Sequence, residues 1–188
     1  MKEDITSALV SEHRLILRML DVLERVARAT ADGEYRDVSF YLEAVDFIRQ
    51  YADRFHHAKE EAVLFEALVK NGMPRANSPI AAMLLEHDQG RALVKAMERA
   101  AQGALAGEVD QARVIVDNAL QYVALLREHI EKEDGILYPL AERVIPASLR
   151  SEIIRGYQVA GTHLPGDFSK RYEALVAASE AITNRFAA

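Results

Sequence analysis

The 188-residue chain contains no cysteine. That single absence excludes disulfide scaffolds, cysteine-held zinc, iron–sulfur clusters and thiol nucleophiles. Backbone breakers are scarce too: 9 glycines and 5 prolines make about 7% of the residues, against a usual ~12%. Such a chain, rich in Ala, Leu, Glu and Arg, favours long helices. It carries a formal charge of −6 and no run of lysines or arginines. The clustered basic face that nucleic acid requires is missing. No apolar stretch approaches the ~18 residues of a membrane span, and Met1-Lys2-Glu3-Asp4 lacks the pattern of a secretory signal. The expectation is a cytoplasmic protein with neither nucleic acid nor membrane as partner. Half of the residues are hydrophobic, which suits a globular core. Any metal held here must be bound by nitrogen and oxygen.

What the chain does contain is helical periodicity. Residues 4–32 carry Ile5, Leu9, Ile16, Leu20 and Leu23 on one face, and Gly33 closes the block. A second block, 37–70, stops at Asn71-Gly72. Ser78-Pro79 then reads as an N-cap with proline at the first helical position. The third block runs from 79 to the glycines at 103 and 107, and the fourth spans 109–144, with Pro139 placed to kink its last turns. Four long helices with short connectors predict an all-α, up-down-up-down four-helix bundle. Beyond Pro146, segments 147–160 and 167–186 predict extra C-terminal helices. The expected organisation is a bundle over 1–145 and an extension over 146–188 packed on it. That extension also offers a face for a homodimer.

Six histidines punctuate these blocks. His13 falls inside the apolar stripe of the first, between Leu9 and Ile16. His87 does the same in the third, between Leu84 and Val94. His129 sits in the series Ala119, Tyr122, Leu126, His129, Glu133, Ile136. That series buries a carboxylate as well, which costs several kcal/mol unless a positive partner is present. The second block holds two overlapping pairs, His56/Glu60 and His57/Glu61. Spacing of four sets each pair on one helix face. With 29 acids in 188 residues, a histidine meets an acid four positions on about 15% of the time, so one such pair is weak evidence.

An internal repeat chooses between the pairs. Slid by 73 residues, His129 falls on His56, Lys132 on Lys59, Glu133 on Glu60, and Ile-Leu-Tyr on Val-Leu-Phe. Glu12-His13 and Glu86-His87 repeat at an offset of 74. The chain reads as a duplicated two-helix unit, which assigns His56 and Glu60 inward. His57, on the more polar row with Asp53 and Glu61, is expected outside the ligand set. At 1.5 Å rise per residue, an up-down bundle brings His13, His56, Glu60, His87, His129 and Glu133 to one level. Four imidazoles and two carboxylates favour iron or manganese over soft metals, with zinc a further candidate. Two ions bridged by the carboxylates balance the buried charge better than one saturated ion.

A lone His, His-x-x-x-Glu, a lone His and a second His-x-x-x-Glu, spread over about residues 4–145, resemble the hemerythrin-like (HHE cation-binding) family. The resemblance implies a four-helix bundle with two non-haem iron ions held by His13, His56, Glu60, His87, His129 and Glu133. It implies a protein that binds or senses O2 or a related oxidant. The alternative is an enzyme acting on peroxide or NO, or an iron donor in iron–sulfur repair. A bundle that metal merely cements is a third reading. One departure stands out. Oxygen-carrying members pair a fifth histidine at four-residue spacing on the third helix, whereas the positions flanking His87 hold Met83 and Arg91. His163 is a candidate for the missing nitrogen if the tail folds across the open end. Tyr122 is a candidate donor to a bound oxygen species, and Arg91 a candidate counter-charge for a nearby carboxylate.

Overall fold

The computed structural model describes residues 3–161 and 164–184. His163 lies outside the described residues. Among those described there are six helices and no strand. They are α1 (Ser7–Ala31), α2 (39–70), α3 (Pro79–Leu105), α4 (111–144), α5 (Ala147–Gly161) and α6 (Phe168–Thr183). The expected all-α bundle with extra C-terminal helices is what the chain forms. No helix of the described residues is long and apolar enough to cross a membrane.

Local chemistry sets the ends. The Asp4 carboxylate accepts the Thr6 and Ser7 amides at 2.9 and 2.8 Å, satisfying donors that the first turn of α1 leaves free. Ser78 Oγ accepts the Ala81 amide at 3.4 Å and Pro79 follows it, as the sequence predicts for the start of α3. Gly33 closes α1 with φ of 78°, a left-handed conformation that side chains resist.

Helix α1 packs on α2 and α4, and α3 packs on the same two, so the four close into a ring. Their apolar faces build two separate clusters. The larger holds Leu20, Leu23, Phe40, Phe47, Met97, Ile115 and Tyr122; the smaller holds Ile5, Leu9, Leu64, Ile80, Met83 and Leu137. Along every one of the four helices a buried histidine or glutamate separates the two. The bundle is therefore apolar at both ends and polar in one interior layer.

The extension seals both clusters. Phe168, Tyr172 and Val176 of α6 join the larger one, and the Tyr172 hydroxyl donates to Asp46 at 2.9 Å. Ile153 and Tyr157 of α5 join the smaller. Helix α5 lies so close to α2 that a Cβ on Gly156 would meet Val63 at 2.8 Å. Arg150, with no exposed surface, ties α5 down. Its guanidinium donates to the Glu3 and Glu142 carbonyls at 2.5 and 2.6 Å and pairs with the Glu142 carboxylate. Arg150→Ala removes the guanidinium from that carboxylate, which keeps the Ile5 amide at 2.7 Å, and from the Glu3, Glu142 and Ile145 carbonyls. It is expected to cost about 3 kcal/mol, read as a lower midpoint in urea unfolding of the metal-free protein.

Three stretches of these helices are wound as π-helix: Ile48–His57, Glu60–Leu64 and Glu133–Leu137. The last precedes Pro139, the expected kink. Its counterpart 73 residues earlier, Glu60–Leu64, contains no proline, so the widening belongs to the repeat rather than to Pro139. Such i→i+5 turns cost hydrogen-bond quality and recur at functional sites.

Candidate metal centre

All six side chains assigned from the sequence lie in the polar layer. His13, His56, His87 and His129 are each at most 2% exposed, and Glu60 and Glu133 have no exposure at all. Two groups of potential metal donors form, each with its donor atoms within 4.8 Å of one another. One comprises His13, His56, Glu60 and Glu133; the other comprises His57, Glu60, His87 and His129. Glu60 is common to both. Glu133 also leans across, with His13 Nε2 and His129 Nε2 at 3.3 and 3.2 Å from its two oxygens.

His57 corrects the sequence reading. It is buried, and its ring stacks on His87 with centroids 3.7 Å apart. In a regular α-helix, neighbours stand 100° apart, so only one of His56 and His57 should face inward. The π-helical winding that ends at His57 departs from that geometry, and both rings enter the layer. The fifth imidazole, expected to be missing, is thus supplied by α2. The signals were present in the sequence: adjacent histidines, acids four residues either side at Asp53 and Glu61, and Ile130 at the repeat-equivalent position.

The outward nitrogen of each ring is anchored by a carboxylate. His13 Nδ1 meets Asp134 at 2.8 Å, His56 Nδ1 meets Glu12 at 2.9 Å, His57 Nδ1 meets Asp53 at 3.4 Å. His87 Nδ1 meets Glu61 at 2.7 Å and His129 Nδ1 meets Glu86 at 2.9 Å. An Nδ1–H donated outward leaves the Nε2 lone pair facing in, the tautomer that metal binding requires. The repeat governs these anchors too. Glu12 holds His56 and Lys59 just as Glu86 holds His129 and Lys132. Arg91, the suggested counter-charge, pairs with Asp53 at 2.6 Å and Glu61 at 2.7 Å.

The inward atoms are short of partners. His56 Nε2, Glu60 Oε2 and both Glu133 oxygens are buried without a hydrogen bond of proper geometry. His87 Nε2 faces His129 Nε2 at 3.1 Å. Buried polar atoms are normally satisfied, and a cation between these lone pairs would satisfy them together. The donor set of five imidazoles, two carboxylates and no thiolate fits iron, manganese or zinc. Tyr138, one residue outside the sequence-derived set, donates its hydroxyl to Glu60 Oε1 at 2.5 Å and lies 3.3 Å from His13 Nε2. Its repeat equivalent is Phe65, so the two halves of the layer differ chemically.

Residues 4–141 match the hemerythrin HHE cation binding domain family. The chain belongs to that family. Comparison with curated proteins and with solved structures gives no significant match. The hemerythrin HHE match ends within α4, so α5 and α6 lie outside it. A buried His/Glu cluster in a hemerythrin HHE domain fits cation binding.

Charges in the metal-free layer are uneven. Burial, followed by the neighbouring Glu133 charge, pushes Glu60 well above the usual carboxylate range. Burial works the same way on Glu133, but the His129 and His13 imidazoles close against its oxygens override it and hold Glu133 well below that range. Burial opposes the charge on His13, yet Asp134 and Glu133 raise it to about 9. Burial and the adjacent His87 lower His57 to about 4. Protons on His13 and Glu60 thus stand where a cation would. A metal must displace the His13 proton at any pH below about 9. Its affinity is accordingly expected to fall about 100-fold from pH 8 to pH 6 through His13 alone, measured by chelator competition at each pH. In the metal-free chain the linkage is different. The raised His13 pKa contributes stability fully below about 6.5, lost as pH rises through about 9.

Proposed function

We propose that this hemerythrin HHE domain is a non-haem di-iron protein that binds or senses O2 or a related oxidant such as peroxide or NO. The observation that carries this reading is the set of five inward Nε2 atoms, each backed by an anchored Nδ1, around two buried carboxylates. His57, His87 and His129 would hold one ion and His13, His56 and Glu133 the other, with Glu60 common to both donor groups. Bound iron supplies reversible electron transfer and coordination of small ligands.

The chain's own residues have defined tasks. The outer carboxylates fix the imidazole tautomers, and Lys59, Lys132 and Arg91 balance four of those five carboxylates. Tyr138 holds its proton on Glu60, and burial above all keeps that phenol well above its ordinary pKa, so it acts as donor. The apolar clusters on both sides exclude water from the layer. A dry site strengthens every electrostatic interaction inside it.

Metal analysis of anaerobically purified protein is expected to return about two irons per chain. Full occupancy by a single zinc, or failure to take up iron on reconstitution, overturns the di-iron reading. Optical spectra on adding and then removing O2 separate reversible binding from irreversible oxidation. Peroxide or NO consumption by the iron-loaded protein would favour the enzyme.

A further inference from the structure

The repeat relates α1 to α3 and α2 to α4, but two of its mismatches beside the polar layer fall together. His57 stands opposite Ile130, and Gly90 stands opposite Ile16. Ile16 and Ile130 are both buried in the larger apolar cluster. On the other side, the small residue leaves a cavity of about 180 Å³ between α2, α3 and α4. His57, His87, Gly90, Val94, Tyr122 and Leu126 line it. Gly90 lies deep inside a 27-residue helix, where glycine is an unfavourable residue. A Cβ there would come to ordinary contact distance of the Tyr122 ring, 3.4 Å, so no clash demands glycine. What glycine provides is space.

We propose that this cavity binds a small uncharged molecule, of the size and polarity of O2 or NO, against the His57 and His87 imidazoles. Its inner walls are aliphatic and aromatic, and Tyr122 brings the only hydroxyl among the lining side chains. The arginines and acids at its rim are all committed to each other or to neighbours: Arg49 binds Glu98 at 2.5 Å, Arg91 binds Asp53, and Glu86 accepts from Lys132. An anion would find little besides Lys95. Apolar cavities of roughly this volume take up xenon and small apolar molecules, and dissolved diatomic gases share that preference. Use of the cavity to supply the metal layer rests on the di-iron reading above; occupancy of the cavity does not.

The test uses xenon and the metal-free full chain. Crystals pressurised with xenon are expected to show it beside Gly90 in the wild type, weaker in Gly90→Ala and absent in Gly90→Leu. Gly90→Ala is also expected to raise Tm, because alanine suits a helix interior better, while metal content after reconstitution stays at the wild-type value. In the iron-loaded protein, NO binding is expected to slow at least 10-fold in Gly90→Leu. Absence of xenon from the wild type, or equal xenon in wild type and Gly90→Ala, overturns the proposal whatever the metal content. Should Gly90→Leu fail to fold, the alanine comparison decides. A wild type that takes up xenon but no iron retains the cavity and loses only the di-iron reading.

Discussion

Replacing Glu60 by glutamine is expected to lower bound metal from about two ions to less than about one per chain, with the helical fold intact. Glu60 is the one residue common to both donor groups, with His56 Nε2 and His87 Nε2 at 3.7 and 3.6 Å from its Oε2. Burial keeps it protonated in the metal-free chain, where a glutamine is close to isosteric and equally neutral. Metal-free stability should therefore change by no more than about 1 kcal/mol. The contrast appears when metal is added. A ligand at a thousand times its Kd stabilises the folded state by about 4 kcal/mol, and the variant should lose most of that gain. Calorimetry of both proteins with and without metal checks it; equal metal-dependent rises in Tm would remove Glu60 from the site.

His57→Ala carries the second large effect. The group built from His57, His87, His129 and Glu60 drops from three imidazoles to two, and the cavity beside Gly90 gains volume where the ring stood. Metal content is expected to fall from about two ions to about one per chain, with residual affinity at the damaged side at least about 100-fold weaker. Urea unfolding of the metal-free protein should show a loss of about 1–3 kcal/mol, because the change removes a buried ring stacked on His87 and leaves a void. Metal content equal to that of the wild type would return His57 to the outer role that the sequence suggested.

That contrast shows what the sequence carried and what it did not. Helix limits were legible because glycine, proline and capping side chains act locally; α1, α3 and both C-terminal helices end within a few residues of expectation. Six of the candidate donors gathered in the polar layer were legible because the repeat duplicates their spacing. His57 was not, since its inward orientation depends on π-helical winding, which periodicity arguments built on 3.6 residues per turn do not anticipate. Asp134 and Tyr138 escaped for another reason. Each meets a partner more than 70 positions away, His13 for Asp134 and Glu60 for Tyr138, and one-dimensional spacing says nothing of contacts between helices. Tyr122, suggested as a donor to bound oxygen, lines the cavity beside Gly90.

The way the polar layer is divided between the two repeats has a consequence for how the protein comes apart. Residues before the 71–78 connector give His13, His56, His57 and Glu60; those after it give His87, His129 and Glu133. Neither donor group is complete within one repeat. With a cation in each donor group, no half of the bundle could unravel on its own: peeling either pair of helices away would strip donors from both groups at once. Such metals would act as rivets through a seam, and opening the seam would be a single event for the whole four-helix core.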